Sequence, residues 1–208
     1  MIDPPAVLEN ALVVAGGYLI GSIPFGVVFV RLLRGEDIRE QGSGNIGASN
    51  VWRIHGRWLG VPVALLDVAK GFVPALVGLK VGGEWVGVLA GAAAMLGHAR
   101  PLWLGFTRGG KMVATGGGVT LVLAPLAAGI CLLVWLSTFV VFRYASLASL
   151  ATAVALPILC LLLDEPWPTV IFATAAGLAV IVLHRQNIRR LLHGTESRFS
   201  RGAGTSSG

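Results

Sequence analysis

Long apolar runs separated by short polar breaks organise this chain. The runs fall at about 6–32, 58–80, 84–98, 113–128, 129–143, 146–163 and 168–186, each of helical length and none with the strict alternation of a barrel strand. The pattern predicts an all-α polytopic membrane protein, a compact bundle of about seven transmembrane helices. Spanning a bilayer of roughly 30 Å usually takes ~20 residues, so the shorter runs also fit six spans with one re-entrant hairpin. The stretch 113–143 carries that alternative, because Pro125 and Gly129 are its only punctuation. Pro24, inside GSIPFG, is expected to kink or interrupt the first span. Gly16, Gly17, Gly21, Gly26, Gly87 and Gly91 recur at spacings suited to close helix packing.

Composition agrees. Of 208 residues 55% are hydrophobic and only 12% charged, against about a quarter charged in a soluble domain. A single integral membrane domain over 1–199 is expected, followed by a Gly/Ser-rich tail at 200–208 with the character of a linker. No basic n-region or small-residue cleavage site marks the first apolar run as a signal peptide, so it is expected to be retained. Cys131 and Cys160 lie in apolar runs without neighbouring His or Cys, which points to core residues rather than a metal site or disulfide.

The net charge of +6 and pI near 10.2 raise nucleic acid as a partner, but the charge distribution gives another account. Seven crossings place 33–57, 99–112, 143–145 and the region after 186 on one side. All thirteen Arg residues and Lys111 lie in or beside those segments, whereas the other side holds Lys80, Asp3, Glu9, Glu84, Asp164 and Glu165. The positive-inside rule then predicts an outside N-terminus and a cytoplasmic C-terminus, with no nucleic acid needed to explain the pI.

Three polar segments share that basic side. The first, GSGNIGASNVWR, interleaves Gly42, Gly44 and Gly47 with Ser43, Asn45, Ser49 and Asn50 and ends at Arg53. Glycines let backbone N–H groups approach an anion, hydroxyls and amides add neutral donors, and Arg53 can bind phosphate in bidentate fashion. A flexible connection explains the same composition. The second, FTRGGKMVATGGG, sets Arg108 and Lys111 around Gly109 and Gly110. Two glycine-rich basic loops on one face suggest an anion site, although Lys111 followed by Met112 breaks the P-loop spacing and excludes that nucleotide fold. The third, HRQNIRRLLHGTE, places His184 and Asn187 three apart on one helical face, while Arg185, Arg189 and Arg190 also fit a topological stop signal.

Asp67 and Lys70 stand inside the second apolar run at i, i+3, where unpaired charge is costly, and are expected to pair with each other or a bundle partner. His98, before Arg100 and Pro101, fits an interface anchor.

In order and wording the three segments resemble the acyl-phosphate-dependent glycerol-3-phosphate acyltransferases of bacterial membranes, the PlsY family. SGNIGASN with Arg53 is similar to its first motif, GHARPLWLGFTRGGKMVAT (Gly97 to Thr115) to its second, and HRQNIRRLLHGTE (His184 to Glu196) to its third. Asp67-Val-Ala-Lys-Gly71 and Gly21-Ser-Ile-Pro24 also look like family features. The likeness runs from about Gly16 to Glu196, with one departure: Met112 stands where the family usually has glycine after Gly-Gly-Lys.

The resemblance implies transfer of a fatty acyl group from acyl phosphate to the 1-hydroxyl of sn-glycerol 3-phosphate, giving lysophosphatidic acid and phosphate. It implies Ser43, Arg53, Lys111, His184 and Asn187 as catalytic residues and Gly44, Asn45, Gly47, Asn50, Gly109, Gly110 and Thr115 as substrate- or phosphate-binding ones. Asp67, Lys70 and Glu196 would be structural. No metal or cofactor is implied. The implied setting is the bacterial inner membrane with a cytoplasmic site, membrane lipids as neighbours, and functional coupling to the enzyme that makes acyl phosphate.

Competing readings fit less well. No histidine has an Asp five residues on, since Gly60, Trp103, Arg189 and Arg198 stand there, which excludes the His-x4-Asp acyltransferases. A CDP-alcohol phosphotransferase needs clustered aspartates, and Asp67 is the only acid well inside a span. A small phosphate or organic-anion transporter is the alternative from another class; it would favour groups near the midplane rather than at one interface.

Overall fold

The computed structural model describes residues 4–199, leaving Asp3 and the tail 200–208 outside the described residues. Among those residues the chain is helical, with no strand: α1 (Pro4–Gly21), α2 (Phe25–Arg34), α3 (Ala48–His55), α4 (Arg57–Ala99), α5 (Val113–Leu123), α6 (Pro125–Phe142), α7 (Ala145–Leu162), α8 (Trp167–Leu183) and α9 (Arg185–Leu192). Exposed large apolar side chains such as Leu12, Leu133, Val141 and Leu162 cover the outside, while Asp67 and Lys70 are buried. That inversion is the signature of a protein dissolved in lipid.

Pro24 interrupts the first span as expected. It cannot donate to the helical ladder, so α1 ends at Gly21 and α2 restarts at Phe25. The break frees the Ile23 carbonyl, which accepts a hydrogen bond from Lys70 Nζ at 2.9 Å. Lys70 Nζ also lies 2.8 Å from Asp67 Oδ1, so the pairing expected from the i, i+3 spacing is made and extended to the break between α1 and α2.

α4 is two arms. Gly82 and Gly83 leave helical geometry (φ −130° and φ +73°), and the second value is one only glycine adopts readily. The arms fold back on each other: a Cβ on Gly78 would lie 2.6 Å from the Val86 carbonyl oxygen. α1 lies against the second arm with equal intimacy, a Cβ on Gly17 falling 2.5 Å from the Ala90 carbonyl and one on Gly21 overlapping that of Ala94. Gly26, Gly87 and Gly91 also meet neighbouring chain closely, whereas Gly16 faces open space.

α5 packs against both arms, Gly71 meeting Thr115 and Gly91 meeting Val119. Its 11 residues rise only about 16 Å, too little to cross a bilayer alone. The boundary expected at 128/129 lies instead at Ala124 and Pro125: proline fits the first helical turn, while Gly129 sits inside α6 as part of the helix. By length and hydropathy, Pro4–Arg34, Pro125–Phe142 and Ala145–Leu162 can each cross a membrane; Arg57–Leu104 also qualifies but contains the folded-back pair of α4 arms, and α8 with α9, bent by 58°, is a further candidate.

Candidate active site

The first polar segment is folded by its own amides. Asn50, 3% exposed, donates from Nδ2 to the carbonyls of Gln41 (3.1 Å) and Asn45 (3.0 Å), and its Oδ1 accepts from the Ser43 N–H (3.1 Å). Asn45 Oδ1 accepts from the Gly47 N–H at 2.9 Å, closing the turn that starts α3. Gly44, left-handed at φ +67°, closes the preceding turn by donating its N–H to the Gln41 carbonyl at 2.9 Å. Asn45 and Asn50 thus fix the placement of Ser43 and the start of α3, whose last turn carries Arg53.

The second segment is fixed to the end of α4. The N–H of Gly109 donates to the Ala99 carbonyl and that of Gly110 to the His98 carbonyl, both at 2.9 Å. These glycines therefore spend their amides on capping α4 rather than on an anion. Their lack of a side chain has a separate use, because a Cβ on Gly110 would collide with the His98 ring. Asn45 Nδ2 donates to the Gly109 carbonyl at 3.3 Å and ties the two segments together.

Met112, which stands where the resembled family usually has glycine, adopts a left-handed conformation, φ +68°, and is 6% exposed. The glycine preference is thereby explained by backbone conformation. This chain accepts that conformation and packs the thioether among Met95, Ala99 and Val180. Thr115 is fully buried against Gly71.

The third segment meets the second through Lys111, whose Nζ donates to Asn187 Oδ1 at 2.7 Å. Asn187 Nδ2 donates to Glu196 Oε1 at 2.7 Å, which also accepts from Ser146 Oγ at 2.7 Å, and Arg190 Nε reaches Glu196 Oε2 at 2.6 Å. An Asn amide has one acceptor end, and the Glu196 contact aims it at Lys111. Burial pushes Lys111 down to about 8, Glu196 opposing and Arg190, Arg108 and Arg53 reinforcing the shift. Burial raises Glu196, but the bonds from Ser146, Asn187 and Arg190 outweigh it and hold the carboxyl below its ordinary value.

His184 sits at the bend between α8 and α9, 3% exposed. Its Nδ1 lies 2.8 Å from the Val180 carbonyl. A carbonyl only accepts, so Nδ1 carries the proton; in the neutral ring Nε2 keeps a lone pair for a ligand.

These side chains line one cavity of about 580 Å³. Ser43, Arg53, Lys111, His184, Asn187 and Glu196 form its polar end; Leu132, Trp135, Leu156 and Ala176 belong to its apolar part, and Gly117 presents no side chain to it. Asn45, Gly47, Asn50 and Asp67 also reach its wall. Gly44, Gly109, Gly110, Thr115 and Lys70 do not line it. Sequence reasoning missed Ser146, hidden in an apolar run, and Phe199, and gave Arg190 only a topological part. Among the described residues no group of three metal-ligating side chains converges.

The arrangement can hold a phosphate at two cations and a hydroxyl, present a lone pair beside it, and seat an apolar tail. The family model described as glycerol-3-phosphate acyltransferase matches residues 11–194. The glycerol-3-phosphate acyltransferase of Desulforamulus reducens is 44% identical over 193 residues, covering 92% of this chain and 96% of its own. That of Syntrophotalea carbinolica is 47% identical over 197 residues (90% and 96%), and that of Aquifex aeolicus 43% over 194 residues (92% and 100%). Crystal structures of PlsY (YgiH), an integral membrane glycerol 3-phosphate acyltransferase, are similar in fold. The glycerol 3-phosphate form has a TM-score of 0.89 at 42% identity, covering 92% of this chain and 96% of that one, and the lysophosphatidic acid form 0.86 at 41%. This chain is a multi-pass membrane protein that belongs to the glycerol-3-phosphate acyltransferase family.

Proposed function

We propose that this enzyme transfers a fatty acyl group from acyl phosphate to the 1-hydroxyl of sn-glycerol 3-phosphate, releasing lysophosphatidic acid and inorganic phosphate. The observation that carries the reading is the single cavity joining a cationic, hydroxyl-bearing end to an apolar one, with Lys111 and Asn187 bonded across two separated motifs. Both substrates carry phosphate and one carries a hydrocarbon tail.

Acyl phosphate is an activated mixed anhydride, so the protein needs to bind, align and stabilise charge rather than form a covalent intermediate. The glycerol 3-phosphate hydroxyl oxygen attacks the acyl carbon, the carbonyl electrons move to oxygen, and collapse of that oxyanion breaks the bond to the phosphate oxygen, the hydroxyl proton passing to the departing phosphate. Lys111 and Arg53 hold the leaving phosphate and developing negative charge, with Ser43 as hydroxyl donor. His184 Nε2 accepts the hydrogen bond of the attacking hydroxyl and orients it. Asn187, aimed by Glu196, fixes the Lys111 ammonium.

The reading extends to topology: seven crossings, an outside N-terminus, and the site on the cytoplasmic face of a bacterial inner membrane, within a single catalytic domain over 1–199. It places the chain downstream of the enzyme that makes acyl phosphate. The distribution of arginines supports this orientation. A transporter reading lacks comparable support, because the cations of the cavity, Arg53 and Lys111, come from the polar segments between the long helices rather than from helix middles.

Purified protein incubated with acyl phosphate and labelled glycerol 3-phosphate, with acyl-CoA as control donor, tests the proposal. Lysophosphatidic acid is expected from acyl phosphate alone. Product formed only from acyl-CoA overturns the donor assignment, and full activity in folded Ser43→Ala, Arg53→Ala and Lys111→Ala proteins overturns the site.

A further inference from the structure

Residues 196–199 run beyond the 11–194 matched by the family model, yet they are built into the cavity rim. One end of this strap is Glu196, held by Ser146, Asn187 and Arg190. At the other end the Phe199 N–H donates to the Arg143 carbonyl at 3.0 Å, and Arg143 Nη2 returns a hydrogen bond to the Phe199 carbonyl. Pinned at both ends, the strap lays the Phe199 ring against Arg53, whose guanidinium carbon is 4.8 Å from the ring centroid. The ring is gripped in turn by aromatic edges: Trp52 at 6.1 Å and Phe139 at 5.1 Å, both T-shaped, with Trp135 stacked on Phe139 at 5.0 Å. Arg53 Nε is buried without a hydrogen-bond partner among the described residues, so little else fixes that side of the guanidinium.

We propose that Phe199 is a positioning residue for Arg53: the strap 196–199 holds an aromatic face under the guanidinium and so presets it for the substrate phosphate. The proposal rests on Arg53 being a phosphate ligand. A flexible Arg loses rotamer freedom when it binds, and a ring that holds it beforehand reduces that loss. A cation over a desolvated aromatic face is attracted by the ring quadrupole as well as by contact, a distinction that an aliphatic replacement exposes.

The test uses the full chain in detergent with Phe199→Ala, Phe199→Leu and Phe199→Trp, each shown to be folded by elution profile and thermal unfolding. Inorganic phosphate is the probe, read as the inhibition constant during turnover and as the phosphate-induced rise in unfolding midpoint. Phe199→Ala and Phe199→Leu are expected to weaken phosphate about five- to tenfold while kcat falls less than about twofold, and Phe199→Trp to stay within about twofold of the parent. On an Arg53→Ala background, Phe199→Ala adds no further loss. Unchanged phosphate affinity in folded Phe199→Ala overturns the proposal, as does rescue by Leu equal to that by Trp, or an undiminished effect without Arg53. Absence of acyl-phosphate turnover in the parent protein would defeat the activity reading alone, since the unfolding shift reports Phe199 and Arg53 without catalysis.

Discussion

Replacing Glu196 by Gln removes one negative charge while keeping most of the shape, and the structure says where the loss is felt. The carboxylate orients Asn187 by accepting from Nδ2, pairs with Arg190, and supports the charge of Lys111. Hydrogen bonds to charged groups contribute about 1.5–3 kcal/mol each, and the amide carbonyl can still accept from Ser146 and Asn187 while the bond from Arg190 is lost, so a net loss of about 1.5–3 kcal/mol in transition-state stabilisation is expected. That corresponds to a ten- to hundredfold fall in kcat/KM. The pH dependence is the sharper reading. Lys111 binds phosphate as ammonium, so activity is present below its pKa of about 8 and declines as pH rises through that value. Because Glu196 raises this pKa, Glu196→Gln moves the alkaline limb to lower pH. Initial rates with acyl phosphate and glycerol 3-phosphate from pH 6 to 9.5, in protein verified by thermal unfolding, measure both effects. An alkaline limb that stays in place in Glu196→Gln would refute the argument that Glu196 sustains the charge on Lys111.

Three further outcomes follow from packing. Lys70→Ala strands the buried Asp67 carboxylate and frees the Ile23 carbonyl, and is expected to cost about 3–5 kcal/mol, seen as a large drop in thermal midpoint that Asp67→Asn in the same chain partly restores. Met112→Gly relieves a left-handed residue worth about 1–2 kcal/mol but removes a buried side chain worth about 2–5, so a net loss of ~1–3 kcal/mol is expected in a detergent unfolding series. Gly117→Leu adds bulk where nothing stands within 4 Å on the cavity wall, and the activity ratio of 16-carbon to 8-carbon acyl phosphate is expected to fall about tenfold, with short-chain turnover retained.

Much of this was legible in the sequence because lipid imposes long, uniform constraints. The apolar runs announced helices, Pro24 announced a break, and the i, i+3 spacing of Asp67 and Lys70 announced a pair. Where punctuation was weak the boundary shifted, and Pro125 rather than Gly129 ended α5, since proline removes a backbone donor while glycine inside a packed helix does not. The site was legible as a set of motifs and less so as a division of labour. Glycine-rich composition suggested anion-binding amides at Gly109 and Gly110, but a sequence does not show that the last carbonyls of α4 claim them. Asn45 and Asn50 carried the right chemistry for ligands and use it on backbone groups of their own loop and, for Asn45, of Gly109. Ser146 and Phe199 had no local signal, because their roles depend on contacts 50 and 56 residues away with Glu196 and Arg143.

The capping of α4 by Gly109 and Gly110 reaches beyond local geometry. Lys111 follows directly on those two hydrogen bonds, so the backbone from which its ammonium reaches Asn187 is tied to the end of a helix whose tilt is set with the bilayer. A change in the tilt of that second arm therefore carries the root of the Lys111 side chain with it, because only the two bonded glycines stand between the helix end and the lysine.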